Sequence, residues 1–243
     1  MAIKEREKRN ITPTRILSQL RIDIMSGKYL PGQPLIEEEL AKDFGAARGS
    51  VRTALQTLAA ERLINFLPNG RKQVLGFSTK QALDMYELRL LLEGKAIQII
   101  FEANYSAYGP LVEVLGRIEK LYKERNPETD WYDLDIQYHR AIVEMADNIP
   151  LRNAWEVNAS MIYALMQLNT TKGYKEQYID EFLAKHRELF SMIVARDPIC
   201  LDQLRTHILD AKQISWDVLK RFDTSNQGND RLGAVGNTRR IHT

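Results

Sequence analysis

FGAARGSVRTALQTLAAERL, Phe44 to Leu63, is the stretch whose reading decides the fold. Gly45 stands where a tight corner between two helices needs a positive φ or a close approach. Beyond Gly49 the apolar positions are Val51, Leu55, Leu58, Ala59 and Leu63, which is helical spacing. Arg48 and Arg52 lie four apart at the start of this helix and project from one side of its first turn. In a helix-turn-helix, that end of the second helix meets base edges in the major groove. Arginine suits a bidentate contact with guanine O6 and N7, or otherwise a phosphate. An amphipathic surface helix with two solvated arginines would show the same pattern, so the flanking sequence has to decide.

Upstream, Thr12 is placed to cap a helix with Pro13 at its first position. Ile16, Leu17, Leu20 and Ile24 form an apolar stripe that Gly27 ends. LPGQP (Leu30–Pro34) reads as a rigid loop, with Leu35 and Ile36 as anchors entering a helix EEELAKDF. Its three glutamates favour a helix N-terminus. Downstream, LINFLPNGRKQVLGF (Leu63–Phe77) has strand formers on both sides of Pro68-Asn69-Gly70, a turn signal. A helix-turn-helix followed by a β-hairpin is a winged-helix arrangement. Arg71 and Lys72 then sit at the hairpin tip, within reach of a phosphate or the minor groove.

The 243 residues allow one large or two ordinary domains. Composition is that of a soluble globular protein, with 44% apolar and 27% charged residues. No apolar run approaches the ~18 residues of a membrane span, and the charged start MAIKEREKRN has no apolar segment of a secretory signal behind it. One cysteine, Cys200, excludes an intrachain disulfide and a Cys-based zinc cluster. A cytoplasmic location is expected. Net charge is +2, but residues 1–76 carry 13 Lys/Arg against 8 Asp/Glu while the remainder carries 21 against 24. The basic third is the expected polyanion-binding end.

From Ser78 helical patterns dominate. Breakers at Gly109-Pro110, Asn126-Pro127, Asn148–Pro150, Gly173 and Asp197-Pro198 divide the chain into six helices: 79–105, 107–125, 129–147, 150–168, 173–196 and 198–222. The expected fold is mainly α. A flexible N-terminus (1–10) precedes a winged helix-turn-helix domain (11–77), a six-helix effector-binding and dimerisation domain (78–222) and a polar, Gly-rich disordered tail (223–243). His139, His186 and His207 fall in three different helices of the second domain, and His242 in the tail. Asp135 lies one turn before His139, on the same face. An Asp and three imidazoles converging inside a bundle would hold zinc, nickel, manganese or iron. Helical di-iron enzymes need Glu-x-x-His motifs, and none of the four histidines has one.

Residues 13–76 resemble the DNA-binding domain of the GntR family of bacterial transcription regulators. The features that carry the resemblance are SGKYLPG, PLIEEELAKDFG, ARGSVRTALQTLAAERLI and the hairpin with Gly70. The resemblance assigns DNA contacts to Arg48, Ser50, Arg52, Thr53, Gly70 and Arg71. Ala47 departs from the usual Ser or Thr, which removes a helix cap and a phosphate contact; Ser50 and Thr53 also stand where the family often has Pro and Glu. Residues 79–222 resemble the FCD domain of the FadR subfamily, nearer its VanR-like branch, through MYELRLLLEGKAI (Met85–Ile97), DLDIQYHRAIVEMADN, KHRELFSMIVARD and LRTHI. That resemblance implies a divalent metal on Asp135, His139, His186 and His207. It further implies a small carboxylate effector met by Arg89 and Asn148, and a homodimer that binds an inverted-repeat operator. The expected function is a metabolite-responsive repressor. A regulator that senses the metal itself is the alternative, with a helical metalloenzyme behind it.

Overall fold

The structure is a computed structural model that describes residues 12–103, 106–126, 128–168 and 176–233. It divides into two compact units, the first running up to Thr79 and the second spanning Lys80–Ser215. The last helix from Trp216 onward groups with the first unit.

In the first unit, α1 (Pro13–Met25) opens with Thr12 as its cap, the hydroxyl accepting from Arg15 N at 3.4 Å. The stripe read from the sequence is its buried face, with Ile16, Leu20 and Ile24 at 0–2% exposure. α2 (Glu37–Phe44) ends at Gly45, whose φ of 61° lies in the left-handed region. Ala46 N then bonds Ala41 O at 2.9 Å, closing the helix and turning the chain into α3 (Arg48–Ala60). Val51, Ala54, Leu55 and Leu58 are buried on α3, which packs on α1. Ala47 caps α3 without a side-chain bond, as its missing hydroxyl dictates. Arg21 on α1 holds Glu61 at the end of α3 through Nε–Oε2 at 2.7 Å and a second bond from Nη2 to Oε1. This fork fixes the recognition helix on its support.

The hairpin is β2 (Ile64–Phe66) and β3 (Lys72–Val74), antiparallel, with Asn65 opposite Gln73. Gly70 sits at its tip with φ 77° and no atom within 4 Å of where a Cβ would stand. A further short strand, β1 (Pro34–Leu35), pairs with the other edge of β3, so the sheet has three strands in the order β1-β3-β2. Leu35 is buried as expected, but Ile36 is 48% exposed and serves as the N-cap of α2.

The second unit is built on six helices among the described residues: α4 (Thr79–Glu102), α5 (Gly109–Glu124), α6 (Trp131–Met145), α7 (Ile149–Leu168), α8 (Glu176–Ala195) and α9 (Cys200–Gly233). α6 packs between α5 and α7, and α8 lies against α5. Asp130 caps α6 by accepting from Tyr132 N and Asp133 N at 3.1 and 3.0 Å. Two expected boundaries move. α9 continues to Gly233 instead of ending at Phe222, and the division between units falls within it, after Ser215. Asn and Gly in TSNQGND weaken a helix by at most about 1 kcal/mol each, and no proline interrupts the run. The expected flexible N-terminus and residues 234–243 lie outside the described residues, as does Gly173.

Candidate functional site

In the first unit, an open groove is lined by Arg48 at the start of the recognition helix and by Gly70, Arg71 and Lys72 at the wing. Glu37 and Glu38 line it too. Arg48 and Arg52 are exposed, their side chains 62% and 60% accessible. Arg48 lies 4.0 Å from Glu38. Arg52 is held by Glu37, with Nη2–Oε2 at 3.2 Å and Nε at 3.4 Å from both carboxylate oxygens. Lys72 Nζ reaches the same carboxylate at 3.0 Å. Thr53 returns its hydroxyl to Gly49 O at 3.1 Å, and Ser50 is half-buried one turn above. Arg71 N is fixed by Asn69 Oδ1 at 3.1 Å, which leaves its side chain exposed at the tip.

In the second unit, Asp135, His139, His186 and His207 converge. One ligand atom from each lies within 4.8 Å of all the others. His139, His186 and His207 present Nε2 to Asp135 Oδ1 at 3.6, 3.2 and 3.8 Å. The other ring nitrogen is fixed in two of them. His139 Nδ1 faces Glu93 Oε2 at 2.6 Å, and His186 Nδ1 faces Phe182 O at 2.6 Å. A proton held on Nδ1 leaves the Nε2 lone pair free toward the centre, the arrangement that metal-ligating histidines adopt. His186 Nε2 is buried with no hydrogen-bond partner. An unmet buried polar atom costs about 1–3 kcal/mol, and its neighbours offer a carboxylate and imidazoles, a donor set suited to a divalent cation. The residues present therefore fit a metal.

The electrostatics of Asp135, Glu93 and His207 suit a cation at this point, and that of His139 favours a proton there instead. Burial would raise the Asp135 carboxyl, but the His139 charge and the Arg89 guanidinium hold it well below the usual range. Burial likewise opposes ionisation of Glu93, and Arg89 with His139 brings it down to about 2. Burial lowers His207 to about 4, so it is neutral and can ligate. For His139, burial and Arg89 favour the neutral ring, yet Glu93 and Asp135 outweigh them and raise it.

A cavity of about 100 Å³ opens beside the cluster. Asp135 and His207 form part of its wall with Tyr86, Tyr132, Met166 and Lys185. It is smaller than the ~300–1,000 Å³ typical of sites for drug-sized ligands. His139 and His186 are fully buried behind it. Arg89 and Asn148, expected at the effector, are engaged elsewhere. Arg89 is 1% exposed and paired with Glu93 (2.7 Å) and Asp135 (3.4 Å). Asn148 caps α7 by accepting from Leu151 N at 3.0 Å. Neither is among the residues that line the cavity. Glu93 is the residue that sequence reasoning missed as part of the centre. Its spacing to Arg89 was visible, but its contact with His139 spans 46 positions.

Two family descriptions match the chain: "Bacterial regulatory proteins, gntR family" over residues 12–74 and "FCD domain" over residues 84–211. The gluconate operon transcriptional repressor of Bacillus subtilis is 27% identical over 191 residues, covering 76% of this chain and 77% of that protein. The galactonate operon transcriptional repressor of Escherichia coli is 26% identical over 207 residues, covering 78% and 90%. The solved structure of E. coli McbR/YncC shares the fold, with a TM-score of 0.58 at 18% identity over 86% of this chain and 97% of that one. The family and these relatives are transcriptional regulators, not enzymes. No helix among the described residues is long and apolar enough to cross a membrane. With the FCD match extending over more than half of its length and the gntR match covering the winged helix ahead of it, the chain belongs to the GntR family of bacterial transcription regulators, in the group with a C-terminal FCD domain.

Proposed function

We propose that the protein is a metabolite-responsive cytoplasmic repressor that binds an inverted-repeat operator as a homodimer. In this reading its effector is a small carboxylate, such as a sugar acid, bound beside a divalent metal. The observation that carries the effector half is the convergence of three Nε2 atoms and the Asp135 carboxylate at the wall of a small cavity. The names of the gluconate and galactonate relatives point to the same ligand class.

On DNA, Arg48 and Arg52 enter a major groove from the start of α3, with Ser50 and Thr53 beside them. Gly70, with open space around it, lets the wing tip approach the minor groove, and Arg71 meets a phosphate. Two copies related by a two-fold axis read two half-sites. In the second unit, His139, His186, His207 and Asp135 hold zinc, nickel, manganese or iron. When bound, the ion supplies a Lewis-acidic centre for a carboxylate oxygen. Glu93 and Phe182 O keep two of the rings in the ligating tautomer, and Arg89 balances the charge of Asp135. Effector contacts then fall to the cavity wall, which Arg89 and Asn148 do not line: Lys185 is its cation, to be drawn from its pair with Asp210 at 2.8 Å, and Tyr132 lines the same wall. The effector shifts DNA affinity only by binding the two conformational states unequally.

The test takes chelator-stripped protein and measures its thermal unfolding with a panel of divalent metals, then with small carboxylates and sugar acids added to the metal-loaded form. A ligand at 100 times its dissociation constant adds ~2.7 kcal/mol if it binds only the folded state. The expected result is a large shift from metal, a further shift from one acid, and release of DNA by that acid. No response to any metal would remove Asp135, His139, His186 and His207 as a ligand set.

A further inference from the structure

Glu37 has a role in neither the family match nor the functional reading above, yet it is one of few buried charges in the first unit. We propose that Glu37 is a positioning residue for base reading: its carboxylate aims the Arg52 guanidinium into the major groove and ties that aim to the wing. The inference rests on the reading that Arg52 contacts a base.

Glu37 is the first residue of α2 and is 9% exposed. Its carboxylate takes the Nε–Nη2 edge of Arg52, at 3.4 and 3.2 Å. A guanidinium has five N–H groups in a fixed fork. With the Nε–Nη2 edge engaged, the Nη1–Nη2 edge remains, and it carries the two parallel donors that match guanine O6 and N7. The Arg52 side chain is 60% exposed, as contact with a ligand requires. Left alone, an exposed arginine samples many rotamers, and ordering it on binding costs affinity. Glu37 orders it beforehand.

The same carboxylate also bonds Lys72 Nζ on β3 at 3.0 Å. Lys72 in turn stands over the Phe66 ring at 5.5 Å on β2. One acid therefore links α2, the recognition helix and the wing, which line the groove together with β1. A simple phosphate-binding surface gains nothing from such an acid, because a buried carboxylate weakens attraction to a polyanion. Orientation is the gain that offsets that loss.

The experiment uses the full chain and a duplex selected by the unaltered protein from a randomised pool, with a scrambled duplex as the reference. Binding is followed by fluorescence anisotropy at several salt concentrations. For Glu37→Gln, which keeps shape but loses charge, we expect specific binding to weaken about tenfold while binding to the scrambled duplex stays level or tightens. In an Arg52→Ala background the same change should have no further effect on the specific-to-scrambled ratio. Glu37→Asp should recover part of the ratio. An unchanged ratio in Glu37→Gln, or an equal loss in the Arg52→Ala background, overturns the proposal. Equal loss on both duplexes with a lowered unfolding temperature also overturns it, since that is what a merely structural acid would give. If Arg52→Ala itself weakens both duplexes alike, the base-reading assignment fails, and that outcome is separate from the others.

Discussion

Glu93→Gln is the sharpest perturbation of the metal centre, because it conserves volume and replaces none of the four proposed ligands. Glu93 Oε1 accepts from Arg89 Nε at 2.7 Å and from Trp155 Nε1 at 3.0 Å, while Oε2 faces His139 Nδ1 at 2.6 Å. A glutamine has only one acceptor oxygen. If that oxygen stays with the two donors Arg89 and Trp155, the amide NH2 points at His139 Nδ1. The ring must then carry its proton on Nε2, the nitrogen that faces Asp135 and His207. That tautomer cannot ligate. If the amide is flipped instead, its NH2 meets two further donors in a fully buried site. Arg89, 1% exposed, would keep only Asp135 Oδ2 at 3.4 Å as its counter-charge. Breaking a buried pair from one side costs about 3–5 kcal/mol, and loss of an outer partner weakens metal binding about 10–100-fold. Urea unfolding of the metal-free protein reads the first effect, and competition with a chromophoric chelator for zinc reads the second. A variant that unfolds within about 1 kcal/mol of the parent and holds zinc within about twofold would refute the orienting role of Glu93.

Other outcomes follow from the same geometry. His186→Ala removes the one ring whose buried Nε2 has no partner; bound metal and metal-induced stabilisation should fall together, and an unchanged metal content by elemental analysis would contradict the ligand assignment. Asn148→Ala should cost about 1 kcal/mol through loss of the α7 cap and leave metal and ligand binding alone; calorimetry showing a selective loss of effector binding would return Asn148 to the effector site. Arg52, then Lys72, hold the Glu37 carboxyl below its ordinary 4.5 against the opposing effect of burial. Its contribution is therefore present above pH 4.5 and is lost as pH falls through the lower folded-state value. Acid unfolding of the parent should carry a component in that window that Glu37→Gln lacks, and identical pH profiles for the two would count against it.

What the sequence disclosed was periodic or local. Val51, Leu55 and Leu58 recur at helical spacing because one face of α3 is buried, and they are all at 0% exposure. Gly45 was legible because glycine takes the left-handed region without strain; Arg125, Asp147 and Arg196 take it between helices too, and their residue types carry no such signal. Asp135 and His139 were placed on one face by the helical repeat alone. The resemblance to a known domain then brought His186 and His207 to them. What stayed hidden depends on contacts distant in sequence. β1 has two residues, one of them proline, too few for any alternation to show, and it exists because β3 offers an edge. The resemblance assigns Arg89 to the effector, and its four-residue spacing to Glu93 says nothing of Asp135. Only packing shows that Asp135 also claims it, which removes it from the cavity. α9 runs on past Phe222 because propensity is a weak prior, and a run without proline can continue through Asn and Gly.

The two candidate sites share a physical device. In each, a glutamate on one helix fixes a nitrogen-bearing side chain on another: Glu37 for Arg52, and Glu93 for His139. A carboxylate suits this task because its two oxygens can be shared between elements while its single charge is matched by nearby cations. Glu37 joins α2 to α3 and β3, and Glu93 joins α4 to α6 and α7. The depth of burial then separates their consequences. Glu37 sits at 9% exposure beneath side chains that reach solvent, so water can replace much of what a neutral substitute loses. Glu93 is at 0% exposure with Arg89 at 1%, and no water is at hand to solvate the charge left behind. The same Glu→Gln change should therefore act mainly on selectivity at the DNA groove, and on both stability and metal affinity at the histidine cluster. If Glu37→Gln proved the more destabilising of the two, burial could not be what governs the cost, and the account of both carboxylates would fail together.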